Sequence, residues 1–302
     1  MSNGTKRRKF RPLRVARPGA PGVPAAPGAA APRRRGIYIL PNAFTTASLF
    51  CGFYSIVQAM NGRFEFAAIA TFAAAVLDSL DGRVARMTNT QSAFGEQYDS
   101  LSDMVSFGAA PALIVYEWAL RGLGKWGWLA AFIYCAGAAL RLARFNTNIG
   151  VVDKRYFQGM PSPAAAAMVV GLVWIVTDLR ETKWVSSSPA DFAWLAWVFT
   201  VYAGLTMVSN APFYSFKDIN LRKSVPFIAV LGIMLMFVLV STDPPLVLFS
   251  LFVLYGLSGY AVWAWRWKTG RASPWREKEL AEQQAAAAAA GARQPSSGGD
   301  ER

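Results

Sequence analysis

Residues 78–103 read DSLDGRVARMTNTQSAFGEQYDSLSD, with four aspartates, two glycines and an Ala-Arg pair in a fixed order. Asp78 and Asp81 are three residues apart, and Asp99 and Asp103 are four apart, so on helices each pair shares one face. Long apolar runs flank the stretch on both sides, which puts the acids at or inside a membrane boundary. Ionisable residues are expensive there and by default mark function. Four gathered carboxylates need cations, and metal ions are the simplest supply. The same setting decides the fold class: acids carried on helices among membrane-length apolar runs predict an all-α, polytopic membrane protein.

Composition agrees. Hydrophobic residues make up 54% of the 302, with 11 tryptophans, which suits a membrane protein better than a soluble one. The net charge of +13 would suit nucleic acid, but the basic residues sit mostly in the tails and between apolar runs, as membrane orientation requires. No aromatic-basic module of the RNA-binding kind is present, so no nucleic-acid partner is expected. The two cysteines, Cys51 and Cys135, lie within apolar segments and do not make a disulfide or zinc framework. The chain has no histidine. That removes Ser-His-Asp and Cys-His catalysis and His-ligated metals, and any general base must be another residue type.

Residues 1–36 are basic and then Pro/Ala/Gly-rich, a composition that cannot bury a core and predicts a disordered tail. No apolar h-region follows the basic stretch before Ile37, so it does not read as a signal peptide. Residues 271–302, an Ala run followed by Gln-Pro-Ser-Ser-Gly-Gly, predict a second, largely disordered tail. Between them, 37–270 form the expected transmembrane catalytic domain. Eight apolar spans are predicted there: Phe44–Met60, Phe66–Arg86, Asp99–Leu120, Trp126–Arg144, Pro163–Leu179, Phe192–Ser209, Val225–Ser241 and Leu246–Trp267. Each is near the ~20 residues that cross hydrocarbon. An even number of spans puts both tails on one side. That side collects the N-terminal and C-terminal basic residues, Arg83, Arg86, Arg141, Arg144, Lys154, Arg155, Lys217, Arg222 and Lys223. The other side receives Arg63, Arg121, Lys125, Arg180 and Lys183. The positive-inside rule therefore makes both termini and the acid cluster cytoplasmic, in a multi-pass protein of the cell (inner) membrane. Trp118, Trp126, Trp128, Trp184 and Trp194 fall near the opposite face, as an interfacial belt would.

The acidic stretch can be written D-x2-D-G-x2-A-R-x8-G-x3-D-x3-D, with Asp78, Asp81, Gly82, Ala85, Arg86, Gly95, Asp99 and Asp103 at its fixed positions. A single aspartate reads equally well as an N-cap or as a salt-bridge partner of Arg83 or Arg86. Eight positions in order do not, since the chance of such a match is on the order of 10⁻⁷ at average residue usage. The pattern resembles the signature of the CDP-alcohol phosphotransferase family. The resemblance implies a core of six membrane helices with the motif on the second and third, and transfer of a substituted phosphoryl group from a CDP-linked donor to an alcohol with release of CMP. It also implies that Asp78, Asp81 and Asp99 are metal ligands, and that Asp103 is shared between metal binding and the role of general base. The residues suit that chemistry. Carboxylates facing a polyanionic diphosphate need Mg²⁺ or Mn²⁺ between them, and four acids on two helices can hold two ions that bridge attacking and leaving oxygens. Gly82, Gly95 and Ala85 keep the face open to a nucleotide. Arg86 offers planar donors to phosphate.

Three further stretches, together with Asn42 and Thr45 before the first span, resemble the branch of the family whose acceptor is L-serine. They are Arg141-Leu-Ala-Arg144-Phe-Asn146, Phe157-Gln-Gly-Met-Pro-Ser-Pro163 and Met207–Lys217. Two C-terminal helices beyond the six-helix core share that likeness. Asn42 and Thr45 are assigned to the donor side. The resemblance implies CDP-diacylglycerol as donor and homodimers, common in the family. Lipid tails would leave between helices into the bilayer while cytidine faces an aqueous cavity. Serine presents a carboxylate, an ammonium and the reacting hydroxyl. Arg141, Arg144, Asn146, Ser162 and Lys217 are the candidate partners, with arginine best suited to bidentate carboxylate capture. Some of them could equally hold donor phosphates or anchor helix ends, as Lys154 and Arg155 are expected to do. Glycerol 3-phosphate, inositol phosphate and choline stay open as acceptors. A transporter using intramembrane carboxylates is the reading from another class, and it lacks the internal repeat such proteins often show.

Overall fold

The chain reverses direction straight after its first apolar run. Helix α1 (Ile39–Met60) ends at Asn61-Gly62, where Gly62 takes a φ of 72°, a left-handed conformation that glycine adopts without a Cβ penalty. Helix α2 (Phe64–Thr88) then runs back along α1. Its buried positions Ala67, Ala70, Thr71, Ala74 and Asp81 form a stripe at helical spacing, small along most of its length and acidic at its end. Lipid tails are as apolar as leucine, so helices in a bilayer gain chiefly from close packing, and small residues permit it. The Ser48 hydroxyl donates to the Ala74 carbonyl at 2.9 Å across this seam.

The computed structural model describes residues 39–88, 90, 92–147, 156–182, 184, 187–215 and 227–269. The predicted tails, 1–36 and 271–302, lie outside them, as do Lys154, Arg155 and Lys217.

The third predicted span is a rod of two α-helices, α3 (Ala93–Asp103) and α4 (Ala110–Trp118), joined through a π-helical turn at Met104–Ala109. The sequence explains the interruption. Pro111 has no N–H to give the Phe107 carbonyl four residues back. The hydroxyl of Tyr134, fully buried on α5 (Lys125–Thr147), donates to that carbonyl instead at 2.9 Å. The turn begins immediately after Asp103, and such turns are frequent at functional sites. Gly52 of α1 meets it so closely that any Cβ would strike Ser106.

Helix α6 (Ser162–Glu181) is the hub. Every residue from Ala164 to Trp174 is buried, the mark of a helix surrounded by others, and it packs on α2, α4, α7 (Ala193–Val208) and α9 (Pro244–Lys268). Helices α5 and α7 touch backbone to backbone at Gly137 and Gly204. Helix α8 (Phe227–Thr242) reaches α9 through Asp243, whose carboxylate caps Leu246 N–H at 3.0 Å.

The helices follow the eight predicted runs within several residues. Among the described residues, five are long and apolar enough to cross a bilayer: 41–60, 125–147, 162–181, 189–208 and 244–268. The chain is thus an integral, polytopic membrane protein. The fold is all-helical as expected, with one addition and one correction. The addition is a short antiparallel ladder, β1 (Tyr156–Gln158) with β2 (Pro212–Tyr214), in the register Tyr156↔Tyr214, Phe157↔Phe213 and Gln158↔Pro212. Trp118 is buried against the core rather than belonging to the aromatic belt, while Trp126, Trp128, Trp184 and Trp194 do face outward.

Candidate active site

Antiparallel α2 and α3 set their aspartates across from each other in two rungs. Asp78 meets Asp103, and Asp81 meets Asp99, each within side-chain hydrogen-bonding range. Asp78, Asp99 and Asp103 bring one carboxylate oxygen each to within 4.8 Å of the others. Asp99 Oδ1 and Asp103 Oδ1 are buried with no hydrogen-bond partner. Carboxylates so close, with orphaned lone pairs turned inward, are costly unless a cation or proton is shared among them. An all-oxygen donor set is also what a hard divalent cation takes. These residues therefore fit a metal.

Asp81 stands apart from that triad. It is 5% exposed and accepts a hydrogen bond from the Thr45 hydroxyl at 2.8 Å. Helix α1 is stitched to this end of the bundle at several points. Ser102 donates to the Thr45 carbonyl at 3.2 Å, and the Thr46 and Tyr98 hydroxyls pair at 2.9 Å. Ser92, the N-cap of α3, accepts from Gly95 N–H at 3.0 Å.

Beside the aspartates a cleft opens between α1, α2 and α3. The six residues assigned to the donor from sequence, Asn42, Thr45, Gly82, Ala85, Arg86 and Gly95, all line it, together with Asp81 and Asp99. A Cβ on Gly82 would touch nothing but the Arg86 guanidinium, at 3.6 Å, so the space above it is open cleft. Pro41, Thr90, Ser92 and Glu96 complete the lining. Of these, Thr90, Ser92 and Glu96 were not picked out from sequence. Ser92 had a signal, a small hydroxyl residue directly before a helix.

The acceptor candidates divide. Arg141 donates to Ser162 Oγ at 2.8 Å and lies within electrostatic range of Asp103 and Asp78. Arg144, one turn on, is spent on backbone. It donates to the carbonyls of Gln158 (2.7 Å), Val208 (3.0 Å) and Met207 (3.2 Å), and so ties the end of α7 to β1. Gly159, with φ 80°, lies where a Cβ would meet both Arg144 and the Met207 carbonyl. Asn146 donates to Ser100 Oγ at 3.1 Å, joining α5 to the aspartate helix. Lys217 lies outside the described residues.

A membrane-helix bundle with an acid triad at one end of two antiparallel helices, and a cleft next to it, defines a membrane-embedded enzyme site rather than a packing core. The chain belongs to the CDP-alcohol phosphatidyltransferase family, which its residues 38–207 match. It is similar to the CDP-diacylglycerol–serine O-phosphatidyltransferase of Helicobacter pylori strain 26695, 36% identical over 221 residues, covering 73% of this chain and 90% of that one. The enzyme of the same name from Mycobacterium leprae is 31% identical over 258 residues, 82% of this chain and 83% of its own. The one from Saccharomyces cerevisiae is 38% identical over 141 residues, 42% and 50% of the two chains.

Proposed function

We propose that this chain transfers the phosphatidyl group of CDP-diacylglycerol to the hydroxyl of L-serine and releases CMP. The observation that carries the reading is the inward-facing Asp78, Asp99 and Asp103 cluster beside a cleft lined by every donor candidate of the motif. The names of the curated relatives, which match over most of both chains, support the choice of substrates.

The motif assigns Asp78, Asp81, Asp99 and Asp103 to two Mg²⁺ or Mn²⁺ ions, with Asp81 also steadied by Thr45. When bound, such an ion neutralises phosphate charge and lowers the pKa of a nearby hydroxyl. Asp103 takes the serine hydroxyl proton as its oxygen bonds to the β-phosphorus. The bond from that phosphorus to the bridging oxygen breaks, and the oxygen leaves with CMP. Asn42, Gly82, Ala85, Arg86 and Gly95 hold the cytidine diphosphate. Arg141, with Ser162 as its hydrogen-bond partner, meets the serine carboxylate. Because the Arg144 fork already serves carbonyls, Arg141 is the acceptor-side arginine left near the aspartates among the described residues. One guanidinium matches one carboxylate, whereas an acceptor phosphate carries about −1.5 to −2 charge. That balance favours serine over glycerol 3-phosphate or inositol phosphate. All eight helical runs cross the inner membrane, both termini and the aspartates are cytoplasmic, and the enzyme works as a homodimer.

Purified protein supplied with CDP-diacylglycerol and Mg²⁺ or Mn²⁺ is expected to make lipid from labelled serine and not from glycerol 3-phosphate, inositol phosphate or choline. Lipid formed only from one of the other alcohols would overturn the choice of acceptor.

A further inference from the structure

Helix α9 lies beyond the segment that matches the family, which ends at residue 207. It nevertheless closes the acceptor end of the bundle. Its inward face carries Tyr255, Gly256, Gly259 and Tyr260. Gly259 lies directly on the Phe213 ring of β2, where any Cβ would collide. The Gly256 carbonyl accepts from the Tyr202 hydroxyl at 2.9 Å, and the Tyr260 hydroxyl pairs with Thr206 at 3.0 Å. These contacts seat the helix on α7 and β2. Tyr255 extends the grip on β2. Its hydroxyl donates to the Tyr214 carbonyl of β2 at 3.2 Å, its ring packs on Phe213 with centroids 5.5 Å apart, and it stands within electrostatic range of the Arg141 guanidinium. Arg141 in turn donates to the Oγ of Ser162, at the start of the helix that follows β1.

We infer that Tyr255 is a positioning residue for the acceptor site: it holds the β1–β2 ladder, from which the chain runs straight into Ser162, the hydrogen-bond partner of Arg141, so that a helix outside the family segment tunes acceptor binding. The inference rests on the proposed transferase reading and adds to it a residue that the motif does not contain. Tyr255 acts through Arg141, away from the donor cleft, and not one of the residues lining that cleft belongs to α9. Losing its hydroxyl therefore weakens acceptor binding and spares the donor.

The full-length enzyme, assayed in vesicles containing CDP-diacylglycerol, distinguishes this from a merely structural role. Tyr255→Phe is expected to raise the KM for serine about five- to tenfold, the effect of one hydrogen bond, with kcat and the KM for CDP-diacylglycerol within about twofold of wild type. Tyr260→Phe removes a comparable hydroxyl from the same helix and is expected to leave the serine KM unchanged. The inference is overturned if Tyr255→Phe leaves the serine KM unmoved, shifts the donor KM equally, or is matched by Tyr260→Phe. Wild-type protein is run in parallel on glycerol 3-phosphate. Turnover of that alcohol instead of serine would sink the choice of serine, and the two variants would then be judged by the KM of the alcohol used.

Discussion

Asp103 is proposed to have two tasks, and they ask different things of one carboxylate. As a ligand it must turn a lone pair toward its neighbours, and as a base it must reach the acceptor hydroxyl. Its buried, unpartnered Oδ1 beside Asp78 and Asp99 suits both. Asp103→Asn keeps the shape and removes the base. CMP release is expected to fall at least ~100-fold while the melting temperature in detergent holds or rises, because a like charge leaves the cluster. Unchanged turnover would rule out Asp103 as base. The same crowding predicts a metal effect without any chemistry: adding Mg²⁺ or Mn²⁺ to chelator-treated protein should raise its melting temperature, and Asp78→Asn with Asp99→Asn should abolish that rise. Thr45→Val deletes the hydroxyl that donates to Asp81. Its expected cost is ~1 kcal/mol, read as a several-fold higher KM for CDP-diacylglycerol.

At the scale of the element, the π-helical turn and the β ladder were not legible in the sequence, for one shared reason. Each depends on a partner supplied from elsewhere in the chain. Pro111 announces a missing N–H, but only the buried Tyr134 hydroxyl makes the wider turn tolerable. Tyr134→Phe would leave the Phe107 carbonyl short of a donor in a dry interior. It is expected to cost about 1–3 kcal/mol, seen as a lower thermal midpoint, with activity falling alongside because Asp103 borders the turn. The ladder is three residues long and is held by the Arg144 fork across the end of α7. Spacing put Arg141 and Arg144 on one face as equal candidates for the acceptor. The fold gives Arg141 a hydroxyl near the aspartates and gives Arg144 a set of carbonyls.

Topology belongs to the whole molecule. With native Cys51 and Cys135 replaced by alanine, single cysteines at Ser187 and Asp243 are expected to react with an impermeant thiol reagent only from outside the cell, and one at Thr147 only from the cytoplasm. Labelling of Thr147→Cys from outside would reverse the orientation. The helical runs, their order and the acid motif were all readable in the one-dimensional chain, because hydrocarbon thickness fixes span length and lysine and arginine resist translocation. The proposed donor side was readable for a related reason: its residues fall on two sequential helices and the helix just before them, so spacing along the chain is nearly spacing in the cleft. The acceptor side was not. Its proposed residues come from α5, the start of α6, the β ladder and α9, spread over more than a hundred residues of chain, and no local rule of sequence says which cation among them is left for a ligand once backbone carbonyls have been satisfied. The sequence by itself thus determined the reaction-bearing motif and its membrane setting. Only the tertiary structure decided which arginine is spent on backbone carbonyls and which is left with a hydroxyl partner.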